Sequence, residues 1–200
     1  MAVTSLRDGA RVVTRPIEPG DKDALVAGFE QLSDESRYRR FLSATPRLSE
    51  SQLRYLTEVD HDRHEAIIAF AEETGEPVGV ARYVRYPDDP TDAEPAVTVV
   101  DDWQGRGLGT LLLAEISNRA RAAGVERFTA LVLATNDPII ALLGQLGTDP
   151  VEKIEDGVMT VQAELTGEGT AQPFHDALRE AAADRLRAVR DSIFELGRRL

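Results

Sequence analysis

The chain has 200 residues, 42% of them hydrophobic, no cysteine, and a net charge of −12 at pH 7. That apolar share supports a folded domain with an appendage rather than a disordered chain. The lack of cysteine excludes disulfides and thiolate metal sites, and the acidic balance argues against a nucleic-acid partner, which needs clustered Lys and Arg.

The first residues hold no apolar core of signal-peptide length, and nothing approaches the roughly 20 apolar residues that span a bilayer. No membrane partner and a cytoplasmic location are expected. Residues 11–19 read as a first strand, closed by Pro19 and Gly20. Leu25, Val26, Phe29 and Leu32 then recur at helical spacing, with Asp21 as the predicted cap. A second helical region is broken near Pro46, and Ser49 with Gln52 forms a capping-box pattern. Residues 65–73 and 76–86 are β-like runs around Thr74-Gly75, a hairpin signal. Residues 87–95 read as a polar loop, and 95–100 as a third strand of this group.

Leu111, Leu112, Ile116 and Ala120 space a helix that stops at Gly124. Residues 127–135 are nearly all apolar, as in a strand covered on both faces. A short helix over 137–147 starts at Asn136 or Asp137 with Pro138 in its first turn. Residues 150–165 close as a hairpin turning near Asp156-Gly157. The pattern predicts an α/β (α+β) domain over 1–166, a mixed sheet with helices on its faces. Residues 167–173 read as a linker. Residues 174–200 read as an amphipathic helix with a seam of Leu178, Ala182, Leu186, Val189, Ile193, Leu196 and Leu200. That seam suits docking on its own domain or on a second copy, as in a homodimer.

One stretch, VVDDWQGRGLGTLLL at 99–113, joins a strand to a helix through Gly105, Gly107 and Gly109. Glycines there free the backbone and expose amides at the positive end of a helix dipole, which suits a phosphate or pyrophosphate. A P-loop needs a lysine before Thr110, and none is present. A dinucleotide fingerprint needs a third glycine where Thr110 stands, within an opening βαβ unit. The pattern Q/R-x-x-G-x-G/A fits in full from Gln104 to Gly109. A glycine-rich turn without a ligand is the remaining reading.

This stretch resembles the acetyl-CoA-binding segment of the GCN5-related N-acetyltransferases (GNAT), and the element order is similar over about residues 10–166. The segment ATNDPIIALLGQLG resembles the family's strand-to-helix turn at Asn136. LSDESRYRRFL, VDHDRHEAIIAF and AEPAVTVVDDWQGRGLG resemble the acetyltransferase domain of bacterial protein lysine acetyltransferases.

The resemblance implies a mostly antiparallel sheet of about six or seven strands with acetyl-CoA as acyl donor. It implies that amides of Gln104, Gly105, Arg106, Gly107, Leu108, Gly109 and Thr110 hold the pyrophosphate, with Asn136 also at the cofactor. It implies that pantetheine pairs with Thr98, Val99 and Val100, with the N–H near Val100 polarising the thioester carbonyl. Glu94 is then the general base that deprotonates an amine acceptor, a protein lysine first and a small amine second. Its neighbours Asp88, Asp89 and Asp92 would attract a cation. Leu143 stands where many members carry a proton-donating tyrosine, which leaves open a non-catalytic acetyl-CoA-binding or dimerisation module.

Other residues keep two readings. His61 and His64 in HDRH are a polar turn or two ligands lacking a third, so no metal is expected. Arg37, Tyr38 and Arg40 either line the acceptor side or belong to core and surface. Trp103 packs or stacks on the cofactor.

Overall fold

The computed structural model describes residues 2–41, 47–146, 151–155 and 158–165. Chain order runs β1 (Ala2–Ser5), β2 (Arg11–Pro16), α1 (Lys22–Glu30), α2 (Asp34–Phe41) and α3 (Glu50–Thr57). It continues with β3 (His64–Ala71), β4 (Pro77–Arg85), β5 (Asp92–Val99), α4 (Leu108–Ala122) and β6 (Arg127–Leu133). It ends with α5 (Asp137–Leu143), β7 (Val151–Glu155) and β8 (Val158–Glu164). The break near Pro46, the turn at 156–157, and the linker and helix at 167–200 lie outside the described residues.

The eight strands form one sheet in the order β1-β2-β3-β4-β5-β6-β8-β7. Every pairing is antiparallel except β5 with β6. The strand beyond the expected six or seven is β1, which pairs with β2 from Ala2↔Thr14 to Ser5↔Arg11. Four residues are too few to show an alternation.

Helix α4 packs one face. Its Leu112, Ile116 and Ala120 meet Ala81, Tyr83 and Phe128 in the larger core cluster. The approach is close enough that a Cβ on Gly79 would stand 2.9 Å from Leu112 Cδ1. On the opposite face Leu25 of α1 and Leu53 of α3 bury against Ile17, Ala66 and Ile68. Helix α3 starts on the anticipated capping box: Gln52 N donates to Ser49 Oγ at 3.3 Å, and Ser49 N donates to Gln52 Oε1 at 2.8 Å.

Three expectations need correction. Asp21 stands at the N-cap of α1, but its side chain makes no cap bond, because its carboxylate takes a fork from Arg15 at 2.7 and 2.6 Å and the Glu18 amide at 2.8 Å. Those bonds satisfy both oxygens. The strand before the glycine loop begins at Asp92, so Asp92 and Glu94 are strand residues rather than loop. β6 is not covered on both faces, since Leu131 is 54% exposed. No helix among the described residues is long and apolar enough to cross a membrane.

Candidate active site

Strands β5 and β6 pair only through Asp92↔Arg127 and Ala93↔Phe128. Beyond that point they separate, while β5 stays paired to β4 through Val99. The Val100 amide donates to Val78 O at 3.1 Å. Strand alternation therefore turns the Thr98 amide toward β4 as well, and turns the Val97 and Val99 amides toward the open side. Val100 itself therefore offers no free N–H on the open side. The free donor near the end of β5 is Val99, one residue earlier. Pro95 adds no donor on that edge.

The open edge runs into the glycine loop. Residues 101–103 make a single 3-10 turn, and Gln104 N donates to Asp101 O at 3.1 Å. The Gln104 side chain donates to Val99 O and Asp101 Oδ1, both at 3.1 Å. Gln104 thus shapes the loop, and its amide is not available to a diphosphate, contrary to expectation. The amides of Gly105 to Thr110 make no hydrogen bond of good geometry among the described residues; helical bonding resumes with Leu111 N to Gly107 O at 3.0 Å. Gly105 has φ +73 and Gly107, at the N-cap of α4, has φ +93, both in the left-handed region. Gly109 is helical and needs no such freedom. The result is a run of unpaired donors at the N-terminus of a 15-residue helix, aimed outward where its dipole is positive.

Side chains add charge. Arg106 pairs with Asp8 at 3.3 Å and lies 5.0 Å over the Trp103 ring, whose indole packs against the core. Arg7, from the turn between β1 and β2, lies over the loop: a Cβ on Gly107 would stand 3.4 Å from its Nε. Sequence reasoning missed Arg7, and only the β1–β2 pairing brings it there. Asp101 anchors the loop to α2, accepting from Ser33 N at 3.1 Å and Ser36 Oγ at 2.7 Å. Burial pushes its carboxyl up, but the hydrogen bonds from Ser33 and Ser36 outweigh burial and hold it below the usual carboxylate range. Asn136 sits at the N-cap of α5 with no side-chain cap bond.

Glu94, Ala96 and Thr98 alternate onto the face covered by α1, α2 and α3, opposite α4. Glu94 is exposed at the rim. Its acidic neighbours are less of a cation trap than expected, because Arg127 pairs with Asp92 at 3.0 Å and Asp89 at 3.2 Å. Tyr86, also missed, donates its hydroxyl to Thr129 O at 3.2 Å. Burial raises its phenol, and the charges of Glu94 and Asp92 raise it further.

A cavity of about 70 Å³ lies on the same face, lined among others by Phe29, Arg40, Leu56, Arg82, Ala96 and Thr98. Arg40 of α2 reaches it; Arg37 instead lies 4.7 Å over the Phe29 ring, and Tyr38 is exposed. The two histidines of HDRH part company. His61 bonds Glu65 at 3.1 Å, and His64, starting β3, accepts from Arg82 at 2.9 Å. No group of three or more metal-binding side chains occurs among the described residues. Leu143 is buried in the core at 3% exposure and offers no proton.

Comparison with known proteins agrees with this geometry. A family model for the acetyltransferase (GNAT) family matches residues 29–148. Acetyltransferase Pat of Mycolicibacterium smegmatis is 34% identical over 188 residues, covering 92% of this chain and 56% of that protein. Acetyltransferase PA5475 of Pseudomonas aeruginosa is 32% identical over 147 residues, covering 72% of this chain and 78% of that protein. The crystal structure of the GNAT domain of S. lividans PAT superposes with a TM-score of 0.76 at 35% identity, covering 82% of this chain and 96% of that one. The chain thus spans just over half the length of the mycobacterial relative.

Proposed function

The chain belongs to the GNAT family of acetyltransferases, and we propose that it transfers an acetyl group from acetyl-CoA directly to a primary amine, best read as a protein lysine side chain. The observation that carries this reading is one continuous surface. The unpaired amides from Gly105 to Thr110 stand where the unpaired edge of β5 ends.

The residues present fit the donor. The six free amides suit a diphosphate, and Arg7 and Arg106 add positive charge beside them. The Val97 and Val99 amides suit an extended pantetheine pairing as a further strand. Acetyl-CoA supplies an acyl thioester: the amine nitrogen bonds to the acyl carbon, the C–S bond breaks, and the thiol leaves. The Val99 N–H is the donor for the charge that builds on the acyl oxygen. Glu94 takes the proton that an ammonium must lose, since a lysine carries one up to about pH 10.4. Its exposure on the rim lets a tethered lysine or a water relay reach it.

Another reading, a module that binds acetyl-CoA without turnover, draws on one observation. Leu143 is apolar and buried, so α5 supplies no acid for the leaving thiolate. Acetyl-CoA-dependent thiol release over a panel of lysine peptides and small amines separates the two. The enzyme reading expects release by wild type and a loss of about 10²-fold or more in Glu94→Gln. Tight acetyl-CoA binding with no release above background would establish the module.

A further inference from the structure

The cavity beside Glu94 contains two guanidinium groups that the transfer chemistry leaves unused. Arg82 is 5% exposed in the middle of β4, and Arg40 enters from α2 to line the same cavity. Buried positive charge is costly unless an anion answers it. Elsewhere this chain supplies one: Arg15 holds Asp21 at 2.6 Å, and Arg127 holds Asp92 at 3.0 Å. The sequence has 35 acidic residues against 23 Lys and Arg. Even so, among the described residues no carboxylate comes within 4.0 Å of Arg40 or Arg82.

What meets Arg82 is neutral. Its Nη1 donates to Leu56 O at 3.2 Å and to His64 Nε2 at 2.9 Å, and its Nη2 donates to Leu56 O at 3.3 Å. These acceptors orient the guanidinium without cancelling its charge. Burial, then the Arg40 charge, push Arg82 down to about 9, so it stays protonated at neutral pH. Arg40 is half-buried and lies 5.2 Å over the Phe41 ring; burial lowers it, and the charges of Glu94 and then Tyr55 oppose that shift. Glu94 precedes Ala96 by one step along the same face of β5, about 7 Å away. The cavity therefore opens beside the proposed base.

We propose that Arg40 and Arg82 form a carboxylate subsite that receives a carboxylate carried by one of the two substrates as it lies beside Glu94. Two guanidinium forks suit a planar carboxylate. The size of the cavity admits a few heavy atoms, enough for the end of a short dicarboxylic acyl chain or of an amino acid. The diphosphate has its own amides on the α4 side. This inference rests on the acetyltransferase reading for its location, not for the chemistry of the cavity.

The test uses the full chain in two kinetic arms. The donor arm compares succinyl-CoA with butyryl-CoA on one carboxylate-free amine. The acceptor arm compares 4-aminobutyrate with 4-aminobutanamide using acetyl-CoA. The subsite predicts that kcat/KM favours the carboxylate in one arm by about 10- to 100-fold, and that arm identifies the source. Arg40→Gln should collapse the ratio to within about twofold, and Arg40→Lys should keep part of it. Arg82 is too deeply packed for a clean deletion, so Arg40 carries the test. Ratios near one in both arms, with transfer still proceeding, would overturn the subsite and leave the acetyltransferase reading standing. If no CoA ester is turned over, that reading fails instead. An NMR titration with succinate against succinamide then decides: shifts at Arg40 with succinate alone sustain the subsite, and no shifts refute it.

Discussion

Replacing Gly107 by alanine tests the anion loop where its backbone is most constrained. At φ +93 an L-residue is strained, by roughly 1–2 kcal/mol. The new Cβ would also stand 3.4 Å from Arg7 Nε, a contact that a flexible side chain relieves by moving. Alanine lowers the entropy of the unfolded chain, which returns about 0.5 kcal/mol. The net loss is about 1 kcal/mol, or about 2–4 °C in Tm for a domain of this size. The effect on ligand is larger. A loop that relaxes its φ turns away at least one donor of a charge-assisted bond, worth about 1.5–3 kcal/mol, and so weakens acetyl-CoA about tenfold or more. Gly109→Ala is the contrast for stability. Its φ is helical, and its Cβ would meet Leu142 Cδ2 at 3.6 Å and Val99 Cγ2 at 3.8 Å, ordinary contacts. Helix propensity then holds stability or raises it by up to about 1 kcal/mol, so Tm should not fall. Scanning calorimetry gives both Tm values, and isothermal titration gives Kd for Gly107→Ala. Wild-type Tm and Kd in Gly107→Ala, or an equal Tm loss in Gly109→Ala, would refute the left-handed cradle.

Three further expectations concern the frame around the site. Asp21→Asn leaves the Arg15 guanidinium half-paired, and urea denaturation at pH 7 should show a loss of about 2–4 kcal/mol. The Arg15 bond holds the Asp21 carboxyl low, so its contribution is present above about pH 4 and fades as pH falls through the depressed folded value; Asp21→Asn should accordingly lose the least at acid pH. Burial, then Arg82, push His64 down to about 4 from 6.5. An unfolded chain therefore binds the proton first, and stability falls as pH drops from 6.5 toward 4, by up to about 3 kcal/mol. His64→Gln keeps an acceptor for Arg82 without that titration, and its denaturation midpoint should change less between pH 7.5 and 5. Asp101→Ala frees Ser33, Ser36 and Gln104 together, and acetyl-CoA affinity measured by titration should fall about tenfold.

Much of this was legible in the residues because it is local. The capping box at Ser49, the hairpin at Gly75, the helix after Gly107 and the glycine loop each declare themselves within a few positions. The start of β5 was not legible, because Asp92 and Pro95 are residues that strands usually exclude. Here Asp92 is tolerated because Arg127 and Thr129 of the neighbouring strand take its Oδ2 at 3.0 and 2.9 Å. Which amides are free depends on register. Val99 rather than Val100 faces the opening only because Val100 pairs with Val78. The arginine cavity was the least visible: Arg40, Arg82 and His64 come from three separate elements, and only the packed sheet joins them. Leu131 misled in the other direction, an apolar run reading as buried on both faces although Leu131 itself is exposed while Ala130 and Val132 beside it are buried.

The most direct measurement is a crystal structure of the chain with acetyl-CoA. Diphosphate oxygens should lie within hydrogen-bonding distance of amides between Gly105 and Thr110, with the thioester carbonyl facing Val99 N–H and the acyl group on the side of the open edge that leads toward Glu94. A diphosphate bound elsewhere, or a thioester remote from the open edge of β5, would contradict the account.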